Sequence, residues 1–197
     1  MRVFTTKWLV RWARRERIAD HSLREAIERA EHIDTQNLRG VALLIRATVL
    51  AHQGRETDAR NDANAALAIA RGTGAPQLGI RALTALGFVE LSVGNHAEAR
   101  ATLQPLIDAF GVLPGGEMRN VDYVPYAIEA LIATGRADEV EPMIERLEND
   151  GRRLNRPWLL ATGARGRAMW LAAKGELDEA ARALGDALAQ HDRLPMP

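Results

Sequence analysis

The stretch "ALTALGFVELSVGNHAEARATLQPLI", residues 82–107, decides the fold, because Gly94 separates two segments that both have helical periodicity. Before the glycine, apolar or small residues recur every three or four positions, as at Leu83, Gly87 and Leu91. A glycine between two such segments is typical of a helix that ends with a positive φ, where the chain turns back on itself. The stretch therefore predicts a helical hairpin.

This hairpin pattern occurs four times, in segments related to "QGRETDA", "VGNHAEA", "TGRADEV" and "KGELDEA". The turn glycines follow one another at a nearly constant interval, and they are Gly54, Gly94, Gly135 and Gly175. Small residues are expected where the two helices of a hairpin touch. They stand seven positions before and five positions after the glycine in three hairpins, at Ala47 and Ala59, Gly87 and Ala99, and Ala168 and Ala180. The third hairpin has the larger Ile128 and Val140 at these positions, which predicts a wider separation of its helices.

A single hairpin cannot cover its own apolar face, so the hairpins are expected to stack into a solenoid. We therefore predict an all-α fold with a solenoid of about four tetratricopeptide-like hairpins over residues 35–197, with a period of about 40 residues. Residues 1–34 form a separate basic and aromatic segment, which we predict to be an N-terminal helical cap.

Residues 35–197 resemble the helical repeat region of large LuxR-type transcriptional regulators of the maltose-regulator-like kind. The phrases "YAIEALIATGRADEVEPMIERLE" and "RPWLLATGARGRAMWLAAKGELDEA" carry this resemblance. In that family the repeats lie between a nucleotide-binding module and a helix-turn-helix. This chain has no G-x-x-x-x-G-K-[ST] motif, and its last hairpin is followed by "HDRLPMP". The resemblance thus implies a sensing or scaffolding segment without a nucleotide site or a DNA-reading domain.

The opening segment combines aromatic and basic residues. On a helix over residues 6–17, Trp8 and Trp12 lie along one arc, and most of the basic residues lie along the other. One interpretation is a cap whose tryptophans face the first repeat. The other is a contact for a polyanion such as a nucleic acid or an acidic membrane, made by Lys7, Arg11, Arg14 and Arg15.

The same segment, "MRVFTTKWLVRWARRERIADHSLREAIERAE", is similar to the beginning of RelE-type toxins, the messenger-RNA endonucleases of toxin–antitoxin pairs. The resemblance implies a short strand at residues 3–5 and two helices over residues 6–17 and 21–33. The sheet that bears the family's catalytic residues would follow, but the helical repeats stand in its place. The resemblance therefore implies ancestry or a fusion, and no catalytic position is carried over.

A binding groove is expected along the first helices of the hairpins, which line the concave face in the tetratricopeptide arrangement. The residues placed there are Arg81, Thr84, Phe88, Asp122, Tyr126, Glu129, Arg165 and Met169. Aromatic rings together with both signs of charge suit a peptide or an amphipathic helix. We expect Arg81 and Arg165 to hold acidic groups of a partner. The alternative is that Phe88, Tyr126 and Met169 pack between repeats.

The remaining features argue against several other functions. The chain has no cysteine and therefore no disulfide, its 26 acidic and 26 basic residues balance, and its five histidines are scattered without metal-ligand spacing. The sequence contains no run of roughly 18 consecutive apolar residues, which is the length that a membrane-spanning helix needs. We expect a cytoplasmic, non-enzymatic protein that has no cofactor or metal and binds a protein or peptide partner. A rearranged reading frame without a function is the third possibility.

The last helical segment carries an apolar stripe that no predicted helix covers. Leu177, Leu184 and Leu188 form the stripe, and Ala181, Gly185 and Ala189 flank it at a spacing of four. We expect this end to be exposed and to serve in self-association.

Overall fold

The computed structural model describes residues 36–110 and 122–194, and within these ranges every regular element is helical. The eight α-helices of the described ranges are α1 Gln36–His52, α2 Glu56–Thr73, α3 Pro76–Ser92, α4 His96–Phe110, α5 Val124–Ala133, α6 Glu141–Leu154, α7 Pro157–Lys174 and α8 Leu177–Asp192. A 3-10 turn at Ala137–Glu139 lies between α5 and α6. The all-α prediction is confirmed for these residues. The predicted strand, helices and cap of residues 1–34 lie outside them.

The four turn glycines have the conformation that the sequence predicts. The φ angles of Gly54, Gly94, Gly135 and Gly175 are 76°, 81°, 77° and 85°. After each glycine, the next N–H donates to the carbonyl five residues earlier, as from Asn95 to Glu90 at 2.9 Å. This bond satisfies a carbonyl that the end of the helix leaves without a partner. Each glycine therefore ends a first helix, and the second helix of the hairpin follows.

A second set of turns joins one hairpin to the next. Gly74 and Asn155 have φ angles of 64° and 48°. They occupy equivalent places in the repeat. Gly74 follows Gly54, and Asn155 follows Gly135, by the same number of residues. They end α2 and α6, and the next helices begin with a proline, which suits this position because its fixed φ is helical and its missing N–H is not needed there.

The chain divides into two compact units, Met1–Leu103 and Gln104–Pro197. In the first, α1, α2 and α3 pack in succession, and α1 also contacts α3. The core here is rich in alanine, so the helices approach closely; it includes Ala42, Ala47, Ala63, Ala66, Ala70 and Ala82 together with Leu43, Leu44, Leu78 and Leu86. The small residues predicted to lie between paired helices are buried in this unit, namely Ala47, Ala59, Gly87 and Ala99.

In the second unit, α7 packs against α6 and α8 and also contacts α5. Its core contains larger side chains, among them Val124, Ile128, Leu131, Val140, Ile144 and Leu147, each no more than 1 % exposed. The predicted positions Ile128, Val140, Ala168 and Ala180 are all buried. The Tyr123 hydroxyl donates to the Leu106 carbonyl at 2.9 Å, which ties the start of α5 to α4 within this unit.

Arginine–carboxylate pairs that the sequence analysis did not identify join successive helices. Arg46 of α1 contacts both oxygens of Asp62 in α2 at 2.5 and 2.6 Å. Two further two-point pairs link α2 to α3 and α6 to α7, namely Arg60 with Glu90 and Arg167 with Glu148. Because both charges are partly buried and doubly bonded, these pairs position the helices more firmly than exposed pairs would.

Candidate functional site

Part of the predicted groove is assembled in the second unit. Tyr126 and Glu129 lie on α5, and Arg165 lies on α7, which contacts α5. The Arg165 guanidinium donates to Glu129 Oε2 at 3.2 Å. The Arg165 charge also acts on the Tyr126 hydroxyl. The three side chains come from successive repeats and form one cluster, which we call the α5–α7 cluster.

The polar groups of the α5–α7 cluster are only partly exposed to water. Glu129 is 8 % exposed, and Tyr126 is half-buried. Burial raises the pKa of the Tyr126 hydroxyl, Arg165 opposes this increase, and Asp122 and Glu129 add to it. The phenol is therefore neutral at physiological pH and can both donate and accept a hydrogen bond.

Arg165 has bonding capacity beyond its contact with Glu129. That contact uses one N–H, whereas a guanidinium has five N–H donors in a planar fork that matches a carboxylate. The Arg165 side chain is 34 % exposed, so a ligand can reach it. Met169 lies one turn further along α7 and is half-buried. A cation that acts on the Tyr126 hydroxyl, one helical turn from the Met169 position, is suited to an acidic group next to an apolar one.

The predicted groove residues of the first unit are placed differently from one another. Arg81 is exposed on α3, and the Thr84 hydroxyl donates to the Ile80 carbonyl of its own helix at 2.8 Å. Phe88 is only 3 % exposed, and its ring lies 4.5 Å from the His52 ring. Phe88 therefore packs between helices, the second of the two roles that the sequence left open, and does not line a surface.

The contact between His52 and Phe88 predicts a dependence of stability on pH. Burial lowers the pKa of His52 from 6.5 to about 4. Between these values the unfolded chain binds a proton and the folded chain does not, so the free energy of unfolding falls as the pH drops from 6.5 to 4. The difference corresponds to at most about 3 kcal/mol, and we expect about 2 kcal/mol because the ring is partly exposed.

Urea unfolding at pH 7, 5.5 and 4 measures this effect. His52→Phe keeps a ring against Phe88 and removes the titrating group, so its stability is expected to fall less between pH 7 and pH 4. His191→Gln, at an exposed position on α8, is the control and should follow the wild type. If the free energy of unfolding fell equally with pH in His52→Phe and in the wild type, His52 would not be the group that causes the pH dependence.

One other predicted site receives no structural description. The predicted polyanion contact, Lys7, Arg11, Arg14 and Arg15, lies outside the described residues. Within the described ranges, no group of three or more His, Asp or Glu side chains is arranged to hold a metal ion. No described helix is long and apolar enough to cross a membrane.

A family model matches the beginning of the chain. The family model "RelE toxin of RelE / RelB toxin-antitoxin system" matches residues 1–63, about a third of the chain. The match includes the opening segment and continues through α1 into α2, where the described residues are helical. No curated protein matches the chain. The α5–α7 cluster lies outside the matched residues.

Proposed function

We propose that residues 36–194 form a tetratricopeptide-like segment that binds a protein or peptide, has no catalytic role and acts in the cytoplasm. Two features support stacked hairpins. The positive-φ glycines recur at a nearly constant interval, and small or apolar residues at fixed distances from them are buried. In each unit a first helix also contacts the next first helix, α1 with α3 and α5 with α7, as stacking of repeats requires.

The proposed role is that of a sensing or scaffolding segment, by analogy with the LuxR-type regulators whose repeats this part of the sequence resembles. The observation that carries the proposal is that the partly exposed Arg165 guanidinium bonds the Glu129 carboxylate at 3.2 Å and lies near enough to Tyr126 for its charge to act on the phenol hydroxyl. A peptide carboxylate would accept hydrogen bonds from the N–H groups of Arg165. An adjacent apolar side chain of the peptide would pack against the Tyr126 ring and Met169.

Capture of partners from an extract of the source cells tests this proposal. The wild-type chain is compared with a variant that carries Tyr126→Ala, Arg165→Ala and Glu129→Gln. The glutamine is included so that loss of Arg165 does not leave a buried charge without a partner. We expect partners bound by the wild type to be reduced at least about tenfold, since a lost charged hydrogen bond and a lost ring contact together exceed about 1.4 kcal/mol.

The matched control replaces two arginines of α6 that are well exposed. Arg152 and Arg153 are 62 % and 57 % exposed and pair with residues of their own helix. Arg152→Ala with Arg153→Ala should leave the set of captured partners unchanged. The proposal is wrong if the α5–α7 variant, shown to be folded by circular dichroism, captures the same partners as the wild type.

A second candidate function rests on the RelE family match over residues 1–63. In this alternative the chain is an RNA-interacting protein derived from a toxin, and Lys7, Arg11, Arg14 and Arg15 contact phosphates. Binding and cleavage of a single-stranded RNA by the purified chain test it, with those four residues changed to glutamine as the comparison. Loss of RNA binding in that variant would favour this function. A chain without RNA binding and without specific partners would fit a rearranged reading frame.

A further inference from the structure

Helix α8 carries an apolar stripe on the surface of the second unit. Leu177, Leu184 and Leu188 are 67 %, 49 % and 61 % exposed, and the intervening Ala181 and Gly185 are exposed as well. The predicted exposure of this stripe is confirmed. Three large apolar side chains on one helix face are uncommon on a surface that has no partner.

The repeat register shows what this face is built to contact. Leu184 stands nine residues after its turn glycine, and the equivalent residues of α2, α4 and α6 are 0 % exposed, namely Ala63, Leu103 and Ile144. In the second unit, Ile144 lies 3.3 Å from the position that a Cβ on Gly166 would take. In the first unit, Ala63 shares a core cluster with Ala85.

Gly166 and Ala85 both stand nine residues before their own turn glycines. The residue nine positions after a turn glycine thus packs against the residue nine positions before the next turn glycine in the second unit, and shares a core cluster with it in the first. The relation also holds further along the two helices. Leu147 stands twelve residues after Gly135, and Gly163 stands twelve residues before Gly175. The Leu147 Cβ lies 3.4 Å from the position that a Cβ on Gly163 would take.

Helix α1 presents the other half of such a contact. Ile45 stands nine residues before Gly54 and is 40 % exposed; Leu38 and Val41 on the same face are 50 % and 36 % exposed. The residues of α3 and α7 that correspond to Leu38 are Leu78 and Leu159, and both are buried. The positions of Leu38 and Ile45, whose equivalents in α3 and α7 are buried, are therefore exposed on α1.

The two exposed faces match in register. With the mirrored positions paired, Leu184 meets Ile45, and Leu188 meets Val41. Helix α8 contains four acidic residues and one arginine, a formal charge of −3, whereas α1 contains no acidic residue, and its Arg46 is paired with Asp62 of α2. Two α8 helices would therefore repel each other, whereas α1 brings no negative charge to the contact.

We propose that α8 of one copy of the chain binds α1 of a second copy, in the manner in which α6 packs against α7. Each copy carries one face of each kind, so the contact is heterologous, and assembly continues beyond a dimer or closes into a ring. This self-association uses none of the residues of the α5–α7 cluster and is independent of the proposed peptide binding.

Sedimentation of two single variants and their mixture tests the proposal. Ile45→Glu blocks the α1 face, and Leu184→Glu blocks the α8 face; both positions are exposed, so the fold should be retained. The wild type is expected to rise in mass with concentration, whereas each variant alone should remain near the monomer mass of 21.6 kDa. An equimolar mixture retains one intact face of each kind and should give a dimer, twice the monomer mass, and nothing larger.

Leu154→Glu is the matched control, because Leu154 is an exposed leucine on α6 and belongs to neither face. It should assemble like the wild type. A wild type that stays monomeric at all concentrations would overturn the proposal, as would a mixture that stays monomeric. Loss of assembly in Leu184→Glu but not in Ile45→Glu would overturn it in favour of a contact between two α8 helices.

Discussion

Replacing Leu103 with alanine is expected to lower the free energy of unfolding by about 3 kcal/mol, because the side chain is large and lies in a fully packed site. Leu103 is 0 % exposed, and it lies over Gly87 of α3. A Cβ added to Gly87 would be 2.6, 2.7 and 2.8 Å from three carbon atoms of the Leu103 side chain. The leucine therefore fills the space that the missing Cβ of the glycine leaves.

This packing predicts a strong coupling between the two positions. Alanine in place of Gly87 alone should cost about 1 kcal/mol, because the strain of overpacking exceeds the gain of about 1 kcal/mol in helix propensity. In the Leu103→Ala background the space is vacated, so the same change should stabilise the protein by about 1 kcal/mol. The coupling free energy from the double-mutant cycle is then about 2 kcal/mol.

Chemical denaturation of the four proteins measures the cycle. Gly72→Ala is the control, since Gly72 is an exposed helical glycine with no atom near its added Cβ. It should stabilise both backgrounds equally, by about 0.5 kcal/mol. A Gly87→Ala effect that is the same in both backgrounds would show that α3 and α4 are not in close contact at this point.

Sequence alone predicts the features of the fold that depend on single residues. A positive φ at Gly54 or Gly94 and a small residue at Ala59 or Ala99 are local requirements, so the repeat reveals them directly. The second set of turns was not predicted because its residue varies. Asparagine at position 155 adopts the left-handed conformation that glycine adopts at position 74.

The candidate site was predictable where the repeat period sets the distance between residues. Glu129 and Arg165 are separated by nearly one repeat period, and the structure brings them to 3.2 Å from each other. Phe88 was ambiguous because the position that faces a groove and the position that faces the next helix are neighbours on one helix. The pairing of its ring with His52 depends on how two helices pack, which one segment's periodicity does not specify.

Removal of Arg60 is expected to destabilise the protein by about 3 kcal/mol at pH 7, because it leaves the Glu90 carboxylate buried without its main partner. Glu90 is 7 % exposed and accepts hydrogen bonds from Arg60 at 2.6 and 3.1 Å and from the Asn95 amide at 2.9 Å. In the wild type, the bond from Arg60 is the largest cause of a lowered pKa of Glu90. This pair therefore stabilises the protein above pH 4.5, and the contribution is lost as the pH falls through the folded-state pKa.

In Arg60→Ala the sign of this dependence should reverse. Without the guanidinium, burial becomes the dominant influence and raises the pKa of Glu90, so the variant is penalised more as the pH rises above 4.5. The stability difference from the wild type is thus expected to shrink from about 3 kcal/mol at pH 7 to about 1 kcal/mol at pH 4. Because His52 titrates in both proteins, its contribution cancels in the difference.

The reverse replacement, Glu90→Ala, should cost less, about 2 kcal/mol, because the remaining charge has other partners. The Arg60 side chain is 30 % exposed, and Glu56 lies 3.6 Å from it on the same helix. Arg55→Ala is the control: Arg55 and Asp58 are 45 % and 50 % exposed, so their pair should contribute less than about 0.5 kcal/mol. Urea denaturation of the four proteins at pH 7 and pH 4 tests the ranking. A larger cost for Glu90→Ala than for Arg60→Ala, or a cost for Arg60→Ala that does not change with pH, would mean that burial of Glu90 does not determine the strength of this link between α2 and α3.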